Sequence, residues 1–363
     1  MLDEKSVIET GFAISTGGRR PQMYSLNPNL MYIVSVAIDQ FVTRIAIIDM
    51  KKKIVGEVES LELALQDNPE ALFELRFHIR EFINRSGIPE SRIAGIGLGM
   101  PGLVDLKKGI NHSFLKTQTG SIISFINEEI DLPVCIDNDS RLIALAELKL
   151  GAALGRKNVM VVNLAWGIGL GMILNGEMFR GNNGFAGEFS HIPLFLNNKM
   201  CRCGKMGCLE TETSLYVMAE RVAEGLKEGR LSVLKSLSLE HIDQAANEVI
   251  NAAVNGDKFA IEVLSETGYN IGRGLSILIL LVNPEMIVIS GRGCAAGRLW
   301  LAPIQQAINE HSIPRIAENI EIKISTLGHQ AELMGAAALV MESWTPDYSN
   351  TGGESKKMRH LEV

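Results

Sequence analysis

Three of the chain's five cysteines lie within eight residues, at Cys201, Cys203 and Cys208, and His191 precedes them by ten residues. Thiolates and imidazoles bind zinc in tetrahedral structural sites, and three cysteines with one histidine form a standard ligand set. Glycine tolerates left-handed turns, so the two glycines between the last two cysteines would let the backbone fold around one ion. The pattern therefore predicts a loop built around a structural Zn²⁺ ion.

The alternative is a cluster of cysteines without a metal, either reduced or disulfide-linked. Cys201 and Cys203 are too close in sequence for an easy disulfide, because the geometry of the bridge is narrow. Five cysteines in 363 residues also do not resemble a secreted disulfide scaffold. The zinc interpretation is therefore favoured.

Composition places the chain among soluble globular proteins, with 46% hydrophobic and 21% charged residues. Its length is sufficient for two domains or lobes with substantial cores. The longest aliphatic run, at residues 277–282, is too short to cross a bilayer, and the N-terminus lacks the layout of a signal peptide. We therefore expect a cytoplasmic protein without a membrane partner. The net charge of −7 argues against a chain wholly devoted to nucleic acid, but is compatible with a small basic element.

Hydrophobic periodicity predicts alternating strands and helices, and thus the α/β class. Apolar, β-branched runs at residues 31–39 and 43–50 predict an antiparallel pair of strands. Helices are expected at about residues 68–86, 140–150, 214–228, 239–255, 257–282, 299–310 and 331–342.

The sequence Gly-Glu188-Phe-Ser-His191, followed by Cys-Arg-Cys-Gly-Lys-Met-Gly-Cys-Leu-Glu210, resembles the signature of the ROK family of sugar kinases and sugar-responsive repressors. Further family motifs extend the resemblance over nearly the whole chain. It implies the two-lobed actin-like, or ribonuclease-H-like, ATPase fold of ROK sugar kinases. Residues 30–138 would form the first lobe, and residues 139–344 the second, with the zinc loop at 184–212.

The resemblance also implies a sugar site. In the family the zinc-binding histidine touches a sugar hydroxyl and two glutamates contact the sugar. An Asn-Asp pair binds a hydroxyl and, in kinases, supplies the base that deprotonates the attacking oxygen. Asp139 would be catalytic only in a kinase, and could equally be a helix N-cap. The residues that match, and that we expect to bind a sugar or sugar phosphate, are Asn138, Asp139, Glu188, His191 and Glu210. The family usually has a further sugar-binding asparagine between the positions of Gly109 and Ser124, and we assign no residue to it, since Asn111 lies too early.

The segments that match the nucleotide loops of ROK kinases are altered. Where the kinases have Asp-x-Gly-Gly-Thr-Lys, this chain has Asp-Gln-Phe-Val-Thr-Arg, so side chains stand where backbone amides would approach phosphates. Trp166 replaces a small hydroxyl residue in the second loop, and Arg292 interrupts the adenosine loop. The residues of these loops that still match are Asp39, Thr43, Gly167, Gly169 and Gly291. We predict that ATP and Mg²⁺ bind weakly or not at all.

The N-terminal segment contains a basic turn with Arg19 and Arg20, followed by a weakly alternating strand at residues 22–26. It resembles the end of the winged helix–turn–helix domain of ROK repressors, which ROK kinases usually lack. We expect residues 1–29 to be a wing-only remnant whose arginines touch DNA phosphates, with a solvated arm as the alternative. DNA is an expected partner only if recognition helices precede the wing.

Three functions remain open. The first is a sugar-sensing transcriptional repressor of the ROK family without kinase activity, which the wing favours. The second is a sugar kinase acting on a hexose or N-acetylhexosamine with Asp139 as base, and the third is a non-catalytic interaction module. We favour the first, as a homodimer or dimer of dimers, and expect disorder at residues 345–363.

Overall fold

The computed structural model describes residues 7–14, 20–66, 68–117 and 120–343. The predicted phosphate contact Arg19 and the predicted disordered tail at 345–363 lie outside the described residues. The chain divides into two compact units. One comprises the residues up to Asp139 together with those from Leu333 onward, and the other is Ser140–Glu332.

The first unit is built on a five-stranded mixed sheet with the strand order β5-β4-β3-β6-β9. Its elements are β1 (Val7–Phe12), β2 (Gln22–Leu26), β3 (Tyr32–Ile38), β4 (Val42–Asp49), β5 (Ile54–Glu62), α1 (Ala71–Ser86), β6 (Ile93–Met100), β7 (Val104–Asp105), β8 (Ile110–Asn111), α2 (Ile122–Asn127), β9 (Val134–Asn138) and α10 (Ala331–Ser343). Strand β3 pairs antiparallel with β4, as predicted, and parallel with β6. Both β3 and β6 are buried along their whole length, which explains their continuous apolar sequences.

The last helix, α10, belongs mostly to the first unit, so the assignment of residues 139–344 to the second lobe differs from the structure. The reason is a close approach between α10 and β6. A side chain at Gly97 would overlap the carbonyl oxygen of Ala336, so only glycine allows this packing. The hydroxyl of Ser35 also donates a hydrogen bond to the carbonyl oxygen of Leu333. Both contacts join segments that are far apart in sequence.

The N-terminal segment forms a two-stranded antiparallel hairpin from β1 and β2, with a bulge between Glu9 and Gly11. The strand at residues 22–26 is therefore confirmed, whereas β1 was not predicted. Most side chains of the hairpin are exposed, and so is Arg20 in the connecting segment. The hairpin has the form of a wing, but its role in DNA binding stays a prediction.

The second unit contains a five-stranded sheet with the strand order β12-β11-β10-β13-β14. Its elements are α3 (Asp139–Leu150), β10 (Val159–Leu164), β11 (Ile168–Leu174), β12 (Glu177–Phe179), α4 (Glu210–Thr213), α5 (Leu215–Lys227), α6 (Ile242–Val254), α7 (Lys258–Val282), β13 (Met286–Ser290), α8 (Leu301–His311), α9 (Pro314–Ala317) and β14 (Glu321–Ile324). The four long helices from α5 to α8 begin and end within three residues of the predicted positions.

The longest helix, α7, is fixed at both ends by its caps. The carboxylate of Asp257 accepts a hydrogen bond from the amide of Ala260, and Asn283 adopts the left-handed conformation that ends the helix. Within the described part of the chain, no helix combines the length and the apolar character that crossing a membrane requires.

Candidate functional site

The structure brings the four predicted metal ligands together. The ligand atoms of His191, Cys201, Cys203 and Cys208 all lie within 4.8 Å of one another. The sulfurs of Cys203 and Cys208 are 3.6 Å apart, and the Cys201 sulfur is 3.5 Å from Nδ1 of His191. A tetrahedral zinc ion about 2.3 Å from each sulfur separates two sulfurs by about 3.8 Å. The number, type and spacing of the donors therefore fit a zinc ion.

The loop reaches this shape through two left-handed glycines, as predicted from the sequence. Gly204 and Gly207 have φ values of 82° and 72°. A side chain at Gly207 would also overlap the carbonyl oxygen of Phe195, so glycine is needed there for space as well as conformation. The amide of Cys201 donates a hydrogen bond to the carbonyl oxygen of Lys205, which closes the turn that contains Cys203.

The three thiols differ in pKa because burial and hydrogen bonding act on them to different extents. Burial raises the pKa of Cys201 to about 12, and burial also raises the pKa of Cys208. Burial acts in the same direction on Cys203, but hydrogen bonds from the Lys205 amide and from the other two thiols outweigh it and lower its pKa. Thiolates are the form that binds metal, so a cation in the cluster would favour deprotonation of all three.

The two ring nitrogens of His191 face different partners. Nδ1 faces the thiol of Cys201, whereas Nε2 lies 4.0 Å from a carboxylate oxygen of Glu188. A metal ion held by Nδ1 would leave Nε2 directed toward this carboxylate. Outer carboxylates commonly orient metal-bound histidines in this way. The arrangement links the metal ligands to one of the predicted sugar-binding glutamates.

The second predicted glutamate, Glu210, also lies beside the cluster. One of its carboxylate oxygens is 3.8 Å from the Cys201 sulfur. Burial raises the pKa of both Glu188 and Glu210, and the positive charge of Arg141 partly offsets this effect at Glu188. The second unit thus places three predicted sugar-binding residues, Glu188, His191 and Glu210, around the candidate metal site.

Sequence reasoning missed Arg141 in helix α3. Its side chain is buried, and its Nη1 atom donates a 2.7 Å hydrogen bond to the carbonyl oxygen of Gly184 at the start of the zinc loop. A buried arginine cannot be distinguished from an exposed one by helical spacing alone, so no sequence signal identified it.

The remaining two predicted sugar-binding residues, Asn138 and Asp139, belong to the first unit. Asn138 ends β9, and its side-chain amide donates a 3.2 Å hydrogen bond to the carbonyl oxygen of Gly102. Asp139 begins α3. Asn111 holds its own loop together, because its amide donates to Pro101 and its oxygen accepts from the amides at 113 and 114.

The first altered nucleotide loop is closed by its own carboxylate. One oxygen of Asp39 accepts hydrogen bonds from the amides of Phe41 and Val42, at 2.8 and 2.7 Å. The amide of Asp39 in turn donates to the carbonyl oxygen of Val42. Thr43, the other matching residue, is fully buried. The amides that would approach a phosphate therefore already donate to the chain itself.

The glycines retained in the other loops lie close to other groups of the second unit, which leaves little room for a side chain at these positions. A side chain at Gly167 would overlap the carboxylate of Glu210, and one at Gly169 would overlap the hydroxyl of Ser140. A side chain at Gly291 would likewise meet Asn163. These contacts account for the glycines without any nucleotide, so their retention does not indicate a phosphate site.

Trp166 and Arg292, which interrupt two separate loops in the sequence, meet in the structure. Trp166 is only 6% exposed, and the guanidinium carbon of Arg292 lies 4.9 Å from the centre of its ring. Arg292 also forms an ion pair with Asp243 of helix α6 at 2.5 Å. We call these three residues the aromatic plug. Asp243 was not identified from the sequence, because its partner is 49 residues away.

The comparison with known families decides the chain's ancestry. The ROK family profile matches residues 34–343. The chain belongs to the ROK family. A xylose repressor of Caldicellulosiruptor bescii is 30% identical over 362 residues, which cover 96% of this chain and 88% of the repressor. A glucokinase of Halalkalibacterium halodurans is 37% identical over 256 residues, which cover 70% of this chain and 78% of the enzyme.

A solved ROK structure supports the same assignment. The crystal structure of a ROK family transcriptional regulator, a homologue of the Escherichia coli MLC protein, matches with a TM-score of 0.77 and 28% identity. The match covers 94% of this chain and 85% of the regulator. The predicted α/β fold of the ROK sugar kinases and repressors, an actin-like ATPase fold, is confirmed. Because relatives include repressors and glucokinases, family membership does not decide between regulation and catalysis.

Proposed function

We propose that this chain is a sugar-responsive transcriptional regulator of the ROK family that does not phosphorylate its sugar. The observation that carries the proposal is the state of the nucleotide loops. In the first loop the amides of Phe41 and Val42 donate to Asp39, and in the second unit Trp166 of the aromatic plug directly precedes Gly167 and stacks on Arg292. Phosphate binding by such loops needs free amides and close backbone approach. The engaged amides of the first loop and the bulky side chains of the plug therefore support a protein without kinase activity.

The extent of similarity to the relatives supports the regulator rather than the kinase. The xylose repressor aligns with 96% of the chain, whereas the glucokinase aligns with 70%. The N-terminal hairpin carries the exposed Arg20, which suits contacts with DNA phosphates. In this proposal, helices preceding the hairpin would read the operator, and a homodimer would match a palindromic site.

The proposed effector is a sugar or sugar phosphate. Glu188, His191 and Glu210 of the second unit would bind it, and the family resemblance adds Asn138 and Asp139 as further candidates. Carboxylates and an imidazole that converge on a small site suit the hydroxyl groups of a polyol, which both donate and accept hydrogen bonds. A structural Zn²⁺ ion, held by His191, Cys201, Cys203 and Cys208, would hold the loop in shape. The protein residues would then orient the sugar.

A binding screen tests the proposal directly. The chain is heated with pentoses, hexoses, N-acetylhexosamines and their phosphates, and the melting temperature is recorded. At least one of them should raise it, because a ligand that binds only the folded state stabilises that state. If no member of the panel changes the melting temperature, the sugar-sensing function is wrong.

The second candidate, a sugar kinase, is favoured by the retained Asp139. It predicts release of ADP when the chain is mixed with ATP, Mg²⁺ and its sugar, and loss of that release in Asp139→Asn. The regulator predicts no ADP above background in either protein. Turnover by the wild-type chain that Asp139→Asn abolishes would establish the kinase and reject our proposal.

A further inference from the structure

We infer that Glu212, the last residue of the zinc loop, is a positioning residue for the metal ligands and holds the loop segment at residues 197–199 against helix α5 of the second unit. The inference deepens the proposed function and rests on its metal site. Glu212 lies on the short helix α4, two residues after Glu210 and four after the ligand Cys208. Glu212 is not one of the residues of the ROK signature quoted above, which ends at Glu210.

The carboxylate of Glu212 joins three partners although it is almost fully buried, with 6% exposure. It accepts a hydrogen bond from the side-chain amide of Asn197 and lies 3.0 Å from the ammonium of Lys199. It also forms an ion pair with Arg221 of helix α5. Two of these partners precede Cys201 in the zinc loop, and the third belongs to helix α5. A single carboxylate therefore connects the loop to the helical layer.

The segment that Glu212 holds is hydrogen-bonded to Gly207, the residue before the last cysteine ligand. The carbonyl oxygen of Lys199 accepts from the amide of Gly207, and the amides of Leu194 and Phe195 donate to the carbonyl oxygen of Gly207. Because Lys199 lies just before Cys201 and Gly207 immediately precedes Cys208, fixing Lys199 constrains the chain next to the first and the last cysteine ligand. Phe195 adds a contact with Arg273 of helix α7 at 4.9 Å.

Charge explains why one carboxylate has this effect. Without the negative charge of Glu212, the largely buried guanidinium of Arg221 would lose its buried counter-charge, and the half-exposed ammonium of Lys199 would lose the carboxylate that holds it beside α5. Arg221 would keep a second partner, Glu266 at 3.2 Å, but that side chain is 61% exposed and does not contact the loop segment. Buried charges without a partner are unfavourable, so the loop segment is expected to move away from α5.

The experiment compares metal retention in the full chain. Wild type and Glu212→Gln are loaded with Zn²⁺, and the release of zinc to a chromogenic chelator is followed. Outer residues that support metal ligands commonly change metal affinity by 10- to 100-fold. We expect Glu212→Gln to release zinc about 10-fold faster than wild type. Loading with Co²⁺ should give a visible spectrum shifted from that of wild type, which reports the ligand geometry directly.

Glu266→Gln is the matched control, because it removes the exposed partner of the same arginine and leaves the loop contacts intact. Its zinc release should stay within about twofold of wild type, on the small contribution of exposed ion pairs. If Glu212→Gln does not fold, Lys199→Met removes only the loop side of the network and should still accelerate release several-fold.

The outcomes separate two kinds of failure. A wild-type chain that binds no zinc means that the proposed metal site is wrong, and the inference falls with it. A wild-type chain that binds zinc, with Glu212→Gln or Lys199→Met retaining it as well as wild type and giving the same Co²⁺ spectrum, overturns the inference alone.

Discussion

Replacing Gly167 by alanine should weaken sugar binding far more than it destabilises the protein. The added Cβ atom would lie 2.3 Å from a carboxylate oxygen of Glu210, and the oxygen would have to move by about 1 Å to reach normal contact. A shift of this size breaks a hydrogen bond. The loss of one hydrogen bond to a charged group is worth about 1.5–3 kcal/mol, which corresponds to a roughly 10- to 150-fold weaker affinity.

The effect on stability should be small, because the displaced carboxylate is the end of a flexible side chain. Calorimetric titration with the sugar that stabilises wild type most would measure the affinity, and urea unfolding would measure the stability. Gly225→Ala is a suitable control. Its Cβ atom would press on the ring of Phe259 instead, so it should change stability without changing sugar affinity. Unaltered sugar affinity in Gly167→Ala would show that Glu210 does not contact the sugar.

Three other changes test separate parts of the structure. The ligand set predicts about one zinc ion per wild-type chain, and Cys203→Ser should lose this ion and have a lower melting temperature. Full zinc content in this variant, measured by metal analysis, would contradict the ligand assignment. In calorimetric titration with ATP and Mg²⁺, wild type should give no saturable heat below about 1 mM. The double variant Trp166→Thr, Arg292→Gly should bind ATP more tightly than wild type. Micromolar binding by wild type would reject the role of the aromatic plug. Burial acts to raise the pKa of Asp257, but hydrogen bonds from the amides at 260 and 233 outweigh burial and lower the pKa. The contribution of the Asp257 carboxylate to stability is therefore present above about pH 4 and is lost as the pH falls through the lowered pKa. Asp257→Ala should therefore lower the free energy of unfolding by about 1 kcal/mol at pH 7 and by less at pH 3, and an equal loss at both values would refute the assignment.

Local patterns in the sequence predict much of the secondary structure and the metal ligands. Helix α1 is predictable because Leu72, Leu75, Ile79 and Ile83 recur at helical spacing and all face the core. The candidate zinc ligands are predictable for a related reason. Three of them lie within one short loop, so their chemistry and their proximity are both visible in the chain.

Contacts between distant segments could not be predicted in the same way. Arg292 and Asp243 are 49 residues apart and each looks like an ordinary exposed charge in the sequence. Glu212 and Arg141 resemble other charged helical residues until burial singles them out. Similarly, the glycines at 167, 169 and 291 match a phosphate-binding pattern, although neighbouring groups of the same unit already limit the space for a side chain there.

The packing of α10 against β6 has a consequence for biosynthesis. The hydrogen bond from Ser35 to Leu333 spans 298 residues, so the first unit cannot be completed until the ribosome has made nearly the whole chain. The second unit is continuous in sequence, from Ser140 to Glu332, and has no such constraint. Since domains generally fold as they emerge, the unit made later should reach its native state first. The β6 surface around Gly97 would meanwhile stay uncovered, which makes nascent chains stalled before α10 the natural targets of chaperones.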